Sequence, residues 1–196
     1  IQSVTDNDGN TYLIAPDKKS GFPNIDTSIV VVFKINSSGI LQWKTNYDGY
    51  YHQGSFGRSI DLDDFGNILI AGVSTNHDID SEYATILKLD FNGNPLWDYV
   101  YLGKECKEDV IVKNGSNNSI YLGFNIVSFS PPDQIILLKF DYTGNLVWQN
   151  SFNDSIANYF GLVNIAVDSI GNLISVINRN LSSLSPLGIS VLQYAP

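Results

Sequence analysis

The chain has 196 residues, a formal net charge of −9, 43% hydrophobic and 16% charged residues. That length admits one domain with a sizeable core or two small ones, and the apolar fraction excludes a disordered chain. Its eleven basic residues are scattered apart from the adjacent Lys18 and Lys19, a surface that repels phosphate backbones and anionic lipid, so no nucleic acid and no membrane insertion is expected.

The longest apolar run, 29–33, is far below a membrane span. The opening residues IQSVTD lack a basic region followed by an apolar one, and Met is absent throughout, so the chain is expected to be a mature product or an excised fragment. The lone Cys106 cannot form an internal disulfide. Few charges among many Asn, Ser, Thr and Tyr residues make a neutral-polar surface, expected of an extracellular or cell-surface protein.

Taken in chain order, a short apolar run ends in DNDGN (6–10), TYLIAP follows (11–16), and beyond a variable loop come IVVVFKI (29–35) and NSSGILQW (36–43). The order returns as SIDLD (59–63), DDFGN (63–67), ILIAGVS (68–74), ATILKLD (84–90) and DFNGNPLW (90–97). It returns again as DVIVK (109–113), a degenerate NGSNN (114–118), IYLGFNI (120–126), IILLKFD (135–141) and DYTGNLVW (141–148). A fourth pass gives NIAVD (164–168), DSIGN (168–172) and ISVLQYA (189–195), without a Trp-bearing run. The Trp-bearing octets start 54 and 51 residues apart, and internal periods of this length mark repeat architectures.

Each unit therefore offers four β-like runs separated by turn signals, and no helical period is sustained. Asp or Asn at the first turn position is expected to accept amides two and three residues on, and Gly three residues later to supply positive φ. Gly39, Gly93 and Gly144 then turn three equivalent hairpins, and Trp43, Trp97 and Trp148, each four residues further, occupy one face of the next strand. They are expected to be buried between neighbouring sheets, with truncation costing about 3–5 kcal/mol. The other runs are nearly continuous in apolar residues, so both sheet faces should be covered. The predicted fold is all-β: a β-propeller of four-stranded antiparallel blades, with about 3.75 blades at 1–54, 55–107, 108–158 and 159–196, the last lacking its outer strand.

The combination Asp-x-x-Gly-Asn, a Lys-bearing strand, and Asp-x-x-Gly followed by Trp resembles the bacterial and archaeal β-propeller repeat called the SBBP repeat, and is also similar to quinoprotein-type propeller repeats. The resemblance covers nearly the whole chain and implies large secreted or surface-anchored proteins with longer arrays. The third unit departs from it, with Asn114 for Asp and Asn117 for Gly.

Candidate sites are few. Segment 47–56 gathers Tyr47, Tyr50, Tyr51, His52 and Phe56, rings that stack on sugars or fill protein interfaces but also serve inter-blade packing. Asp78, Asp80 and Glu82 alternate in HDIDSE, so in extended chain they point one way, as a calcium site requires; a solvated loop is the plainer reading. The turn oxygens of DNDGN lack further carboxylates in register. Asp26, Asp80 and Asp133 recur ahead of the strands bearing Lys34, Lys88 and Lys139, and charge pairing between them is expected. Lysines beside Cys106 could depress its pKa, although an incidental thiol suffices. His52 and His77 have no zinc-ligand spacing. Five glycosylation sequons, at Asn36, Asn114, Asn117, Asn153 and Asn180, fall in predicted turns or loops.

With no catalytic residue set and no cofactor motif, the expected function is a non-catalytic scaffold or adhesion module for a protein or glycan ligand, its ring completed by additional blades or another chain. The alternatives are a quinoprotein-like or glycan-active enzyme, and a structural subunit of an extracellular filament or sheath.

Overall fold

The structure is a computed structural model that describes residues 1–19, 27–49, 55–106, 109–126, 134–153, 159–180 and 188–194. These residues form fifteen strands in four antiparallel sheets, each a simple meander. Sheet 1 contains β1 (Gln2–Thr5), β2 (Thr11–Lys19), β3 (Thr27–Ile35) and β4 (Leu41–Tyr47). Sheet 2 contains β5 (Ser55–Leu62), β6 (Ile68–Asn76), β7 (Ser81–Leu89) and β8 (Pro95–Val100). Sheet 3 contains β9 (Ile111–Gly115), β10 (Ser119–Ile126), β11 (Gln134–Phe140) and β12 (Leu146–Asn153). Sheet 4 has three strands, β13 (Tyr159–Val167), β14 (Leu173–Asn180) and β15 (Gly188–Tyr194). The expected all-β class and antiparallel four-stranded units are present.

The two-residue period of a strand sends alternate side chains to opposite faces, and the middle strands use both. In β6, Ile68 and Ile70 face a core shared with Tyr12, Ile14, Val30 and Val32 of sheet 1. Leu69, Ala71 and Val73 face another, shared with Ile120, Leu122, Phe124 and Phe140 of sheet 3. In β10, Tyr121 turns the other way, into a third core with Leu162, Ile165, Leu173 and Ile177 of sheet 4. The continuous apolar runs of sheets 2 and 3 thus belong to sheets covered on both sides, whereas in sheet 4 Val191 leaves the other face of β15 exposed. Each fully buried aliphatic side chain contributes about 1.5–3 kcal/mol, so these three cores fasten the sheets in sequence order.

The first strands of successive sheets lie side by side, β1 with β5, β5 with β9 and β9 with β13. Polar links join them: the Val112 amide donates to Ser59 Oγ at 3.3 Å, and the Asn114 amide to Asp61 Oδ2 at 3.0 Å. The next junction is closed by the buried Asn125, which accepts from the Leu162 amide at 2.7 Å and donates to the Leu162 carbonyl at 3.4 Å. That clamp sits at a register shift in β13 between Leu162 and Asn164, where backbone groups leave the ladder and need other partners.

The turns explain most of the repeated letters. In DNDGN, Asp6 Oδ1 accepts the amides of Asp8 and Asn10, while the Gly9 amide donates to the Asp6 carbonyl. The carboxylate therefore serves residues two and four ahead, not two and three as expected, because the third amide closes the backbone turn. Gly9, Gly39, Gly66, Gly93, Gly144 and Gly171 all have φ between 78° and 94°. The final Asn has its own purpose: the side chains of Asn10, Asn67, Asn94, Asn145 and Asn172 each donate back to the outer carboxylate oxygen of their turn Asp. The degenerate NGSNN reverses differently, through a 3-10 turn over Ser116–Asn118 in which Asn117 and Asn118 carry positive φ, a region Asn tolerates better than most residues.

Candidate functional site

The repeated Trp and Gly meet across sheets rather than within them. Each Trp stands opposite the repeated Lys of its own sheet, Lys34 with Trp43, Lys88 with Trp97 and Lys139 with Trp148, next to the same register shift. Trp43 then reaches to the β7–β8 turn of sheet 2, donating its indole N–H to the Phe91 carbonyl at 3.3 Å. Trp97 donates likewise to the Tyr142 carbonyl in sheet 3 at 3.3 Å. A Cβ on Gly93 would lie 3.1 Å from the Trp43 ring, and one on Gly144 2.8 Å from the Trp97 ring. Gly is required at both turns twice over, for backbone φ and for ring contact. All three tryptophans are partly buried, not fully, so the truncation cost expected of a fully buried Trp is too high for them.

Lys88 tightens the second junction. Its ammonium pairs with Asp63 at 2.7 Å, with the two side chains only 3% and 4% exposed, and donates to the same Tyr142 carbonyl at 2.9 Å. The expected partner, Asp80, is exposed in the turn between β6 and β7, at the other end of the strand; Asp26 and Asp133 lie outside the described residues. Burial opposes the charged Asp63 carboxylate, but bonds from Lys88 and Asn67 outweigh it and hold its pKa below the ordinary value.

Of the aromatic segment, Tyr50, Tyr51 and His52 and the side chain of Phe56 lie outside the described residues. Tyr47 is half-buried and spans sheets, donating its hydroxyl to Asp98 Oδ2 at 2.9 Å; burial and the Asp98 charge push its pKa upward. Its hydroxyl is thus committed to the junction of sheets 1 and 2. The acidic loop is not extended as supposed: residues 77–80 form a turn in which Asp80 takes φ 50°, while Glu82 lies inside β7. Among the described residues no three His, Cys, Asp or Glu side chains converge as a metal group. Of the sequons, Asn114 lies inside β9, and Asn153 and Asn180 end strands β12 and β14, instead of lying in loops.

Cys106 is fully buried in the core between sheets 2 and 3. Burial, with Glu82 adding repulsion, pushes the thiol up to about 12, the opposite of activation by lysines. Native protein at pH 8 is expected to resist a thiol reagent such as iodoacetamide, with modification following global unfolding; stoichiometric labelling within minutes without denaturant would contradict that burial.

Two features escaped the sequence reading. An open cleft of about 420 Å³ lies among Asp6, Asp61, Asp63, Asp64, Asn114 and neighbours, where sheets 1, 2 and 3 meet. Its carboxylates have internal partners, Asp64 for instance accepting from Asn114 Nδ2 at 2.7 Å. Phe65, whose chain neighbours Asp64 and Gly66 line the cleft, faces Tyr142 with centroids 6.4 Å apart, the two exposed by 62% and 54%. Both follow the acidic residue of a turn at short spacing in adjacent sheets. Their pairing needs the inter-sheet register, which turn residues alone do not reveal.

No family model matches the chain, and no curated protein matches it. Among solved structures, it is similar in fold to a crystal structure of a protein of unknown function from Dyadobacter fermentans DSM 18053, with a TM-score of 0.61 and 13% identity, over 97% of this chain and 64% of that one. The chain therefore spans about two thirds of that neighbour's length, and identity this low conveys a shared fold alone.

Proposed function

We propose that the chain is a β-propeller segment built from SBBP-like blades, and that it acts outside the cell or on its surface as a non-catalytic scaffold or adhesion module. Support for the propeller reading comes from four meanders whose first strands adjoin, with β4, β8 and β12 each leaning on the next sheet. Such serial coupling makes a rigid platform, with contacts made by its turns and loops.

The single observation carrying ligand binding is the exposed Phe65–Tyr142 pair beside the acidic cleft. Two rings set next to hydrogen-bonding carboxylates suit a neutral glycan, whose apolar ring face stacks on aromatics while its hydroxyls donate to the acids. The protein probed on a glycan array is expected to bind a restricted set of neutral sugars, and Phe65→Ser with Tyr142→Ser to weaken that binding at least about tenfold, roughly 1.4 kcal/mol. Reduction of a redox dye in the presence of added quinone, or release of sugar from the array, would replace this reading with an enzymatic one.

A further inference from the structure

We propose that the outer edge of β15, together with the Trp148 ring, is a docking site for a polypeptide strand of the chain's own repeat type, Gly-Asn-x-x-Trp. The proposal rests on the serial-blade reading above and names the partner which that array takes at its far side.

Three sheets show what such an edge receives. β4, β8 and β12 each pair antiparallel with the Lys-bearing strand, in one register and with one irregularity at the same place. In sheet 4, Gln193 stands where the other units have Lys34, Lys88 and Lys139. Among the described residues β15 pairs only with β14, and its central Val191 is 63% exposed. A strand edge with unpaired amides and carbonyls is a template for another strand.

Trp148 independently points to the same occupant. Trp43 and Trp97 each pack on the glycine of the next sheet's second turn and donate to a carbonyl of that turn. Trp148 holds the equivalent place in sheet 3, packed against the core shared with Leu192 and Tyr194. Among the described residues no carbonyl receives its N–H. A strand placed on β15 in the common register brings its leading glycine to that ring, continuing the interface already built twice. A second copy pairing β15 with β15 offers Gly188 without the Asn-x-x-Trp that follows glycine in the repeat, and the β4, β8 and β12 strands of a second copy are already engaged.

The test titrates the full chain with a synthetic peptide copying residues 143–153, TGNLVWQNSFN. Amide exchange in 188–194 is expected to slow at least about tenfold at saturation, as β15 amides enter a ladder. Peptides with Gly→Val or Trp→Ala at the matching positions are expected to bind about five- to tenfold more weakly, the scale of one lost hydrogen bond or tight contact. Trp148→Ala should weaken the parent peptide similarly, and Trp148→Phe, which keeps the ring and the fold, should weaken it less. No protection of β15 at saturation, equal binding of the control peptides, or a peptide-independent dimer with β15 already protected would each overturn the proposal. Array binding of a glycan is scored separately, so loss of either result leaves the other readable.

Discussion

Lys88→Met is expected to lower stability by about 3–5 kcal/mol, because it leaves Asp63 charged, buried and without its cation. For a chain of this length each kcal/mol moves the melting temperature by about 2–4 °C, so the fall should be about 6–20 °C. The pair is 2.7 Å apart and almost wholly sealed from solvent, and Lys88 also holds the Tyr142 carbonyl of the next sheet. Loss of the ammonium therefore loosens a junction as well as stranding a charge. Combining it with Asp63→Asn, which removes the stranded charge but keeps an oxygen for the turn amides, should recover part of the loss. Acid should act on the same group. The Asp63 pKa is depressed in the folded chain, so the unfolded chain binds the proton more readily. Its contribution is complete above the unfolded value of about 3.9 and fades as pH falls through the folded value. The turn carboxylates of Asp6, Asp90, Asp141 and Asp168 are lowered too, Asp141 to about 2 through bonds from Thr143 and Asn145. Denaturant midpoints should stay level down to about pH 5 and decline progressively below. Calorimetry and urea titration across pH check both statements; a Lys88→Met variant that melts within two degrees of the parent would refute the buried-pair account.

What the sequence revealed was local and periodic. Turn position, strand count and the two-faced burial of β6 and β10 were legible, since each follows from Gly, Asp and apolar spacing within some ten residues. What it concealed was relational. The Lys88–Asp63 pair joins residues 25 positions apart through the β6–β7 register, and sequence proximity pointed to Asp80 instead. Cys106 looked activated because its neighbours are charged, yet the chain turns its thiol into the core between two sheets. The terminal Asn of Asp-x-x-Gly-Asn was visible as a letter, but its bond back to the carboxylate shows only once the turn closes. The Phe65–Tyr142 pair is further out of reach, because it joins the first turn of one sheet to the second turn of the next.

The same relational logic separates the three repeated glycines, which look interchangeable in sequence. Gly39, Gly93 and Gly144 have φ of 79°, 86° and 94°, so an alanine pays a left-handed backbone penalty of about 1–2 kcal/mol at each. Only two of them also face a ring. A methyl on Gly144 would stand 2.8 Å from Trp97 and one on Gly93 3.1 Å from Trp43, whereas no described residue lies within 4 Å of the same position on Gly39. Overpacking of that kind adds about 1–3 kcal/mol. The expected order of damage is Gly144→Ala, then Gly93→Ala, then Gly39→Ala, with roughly 2–5 kcal/mol at Gly144 and only the backbone penalty of about 1–2 kcal/mol at Gly39. Trp97→Ala should relieve Gly144→Ala, giving a favourable coupling of about 0.5–3 kcal/mol in a double-mutant cycle, and should leave Gly39→Ala unaffected, because those two sites share no contact. Chemical denaturation of the parent and these six variants measures this. Equal losses at all three glycines, or no coupling between positions 97 and 144, would mean that the tryptophans lie beside the turns without bearing on them. Unequal losses in the stated order would establish that each sheet is held by its successor, and that the Gly39 hairpin, with no described ring against it, bears only the backbone penalty.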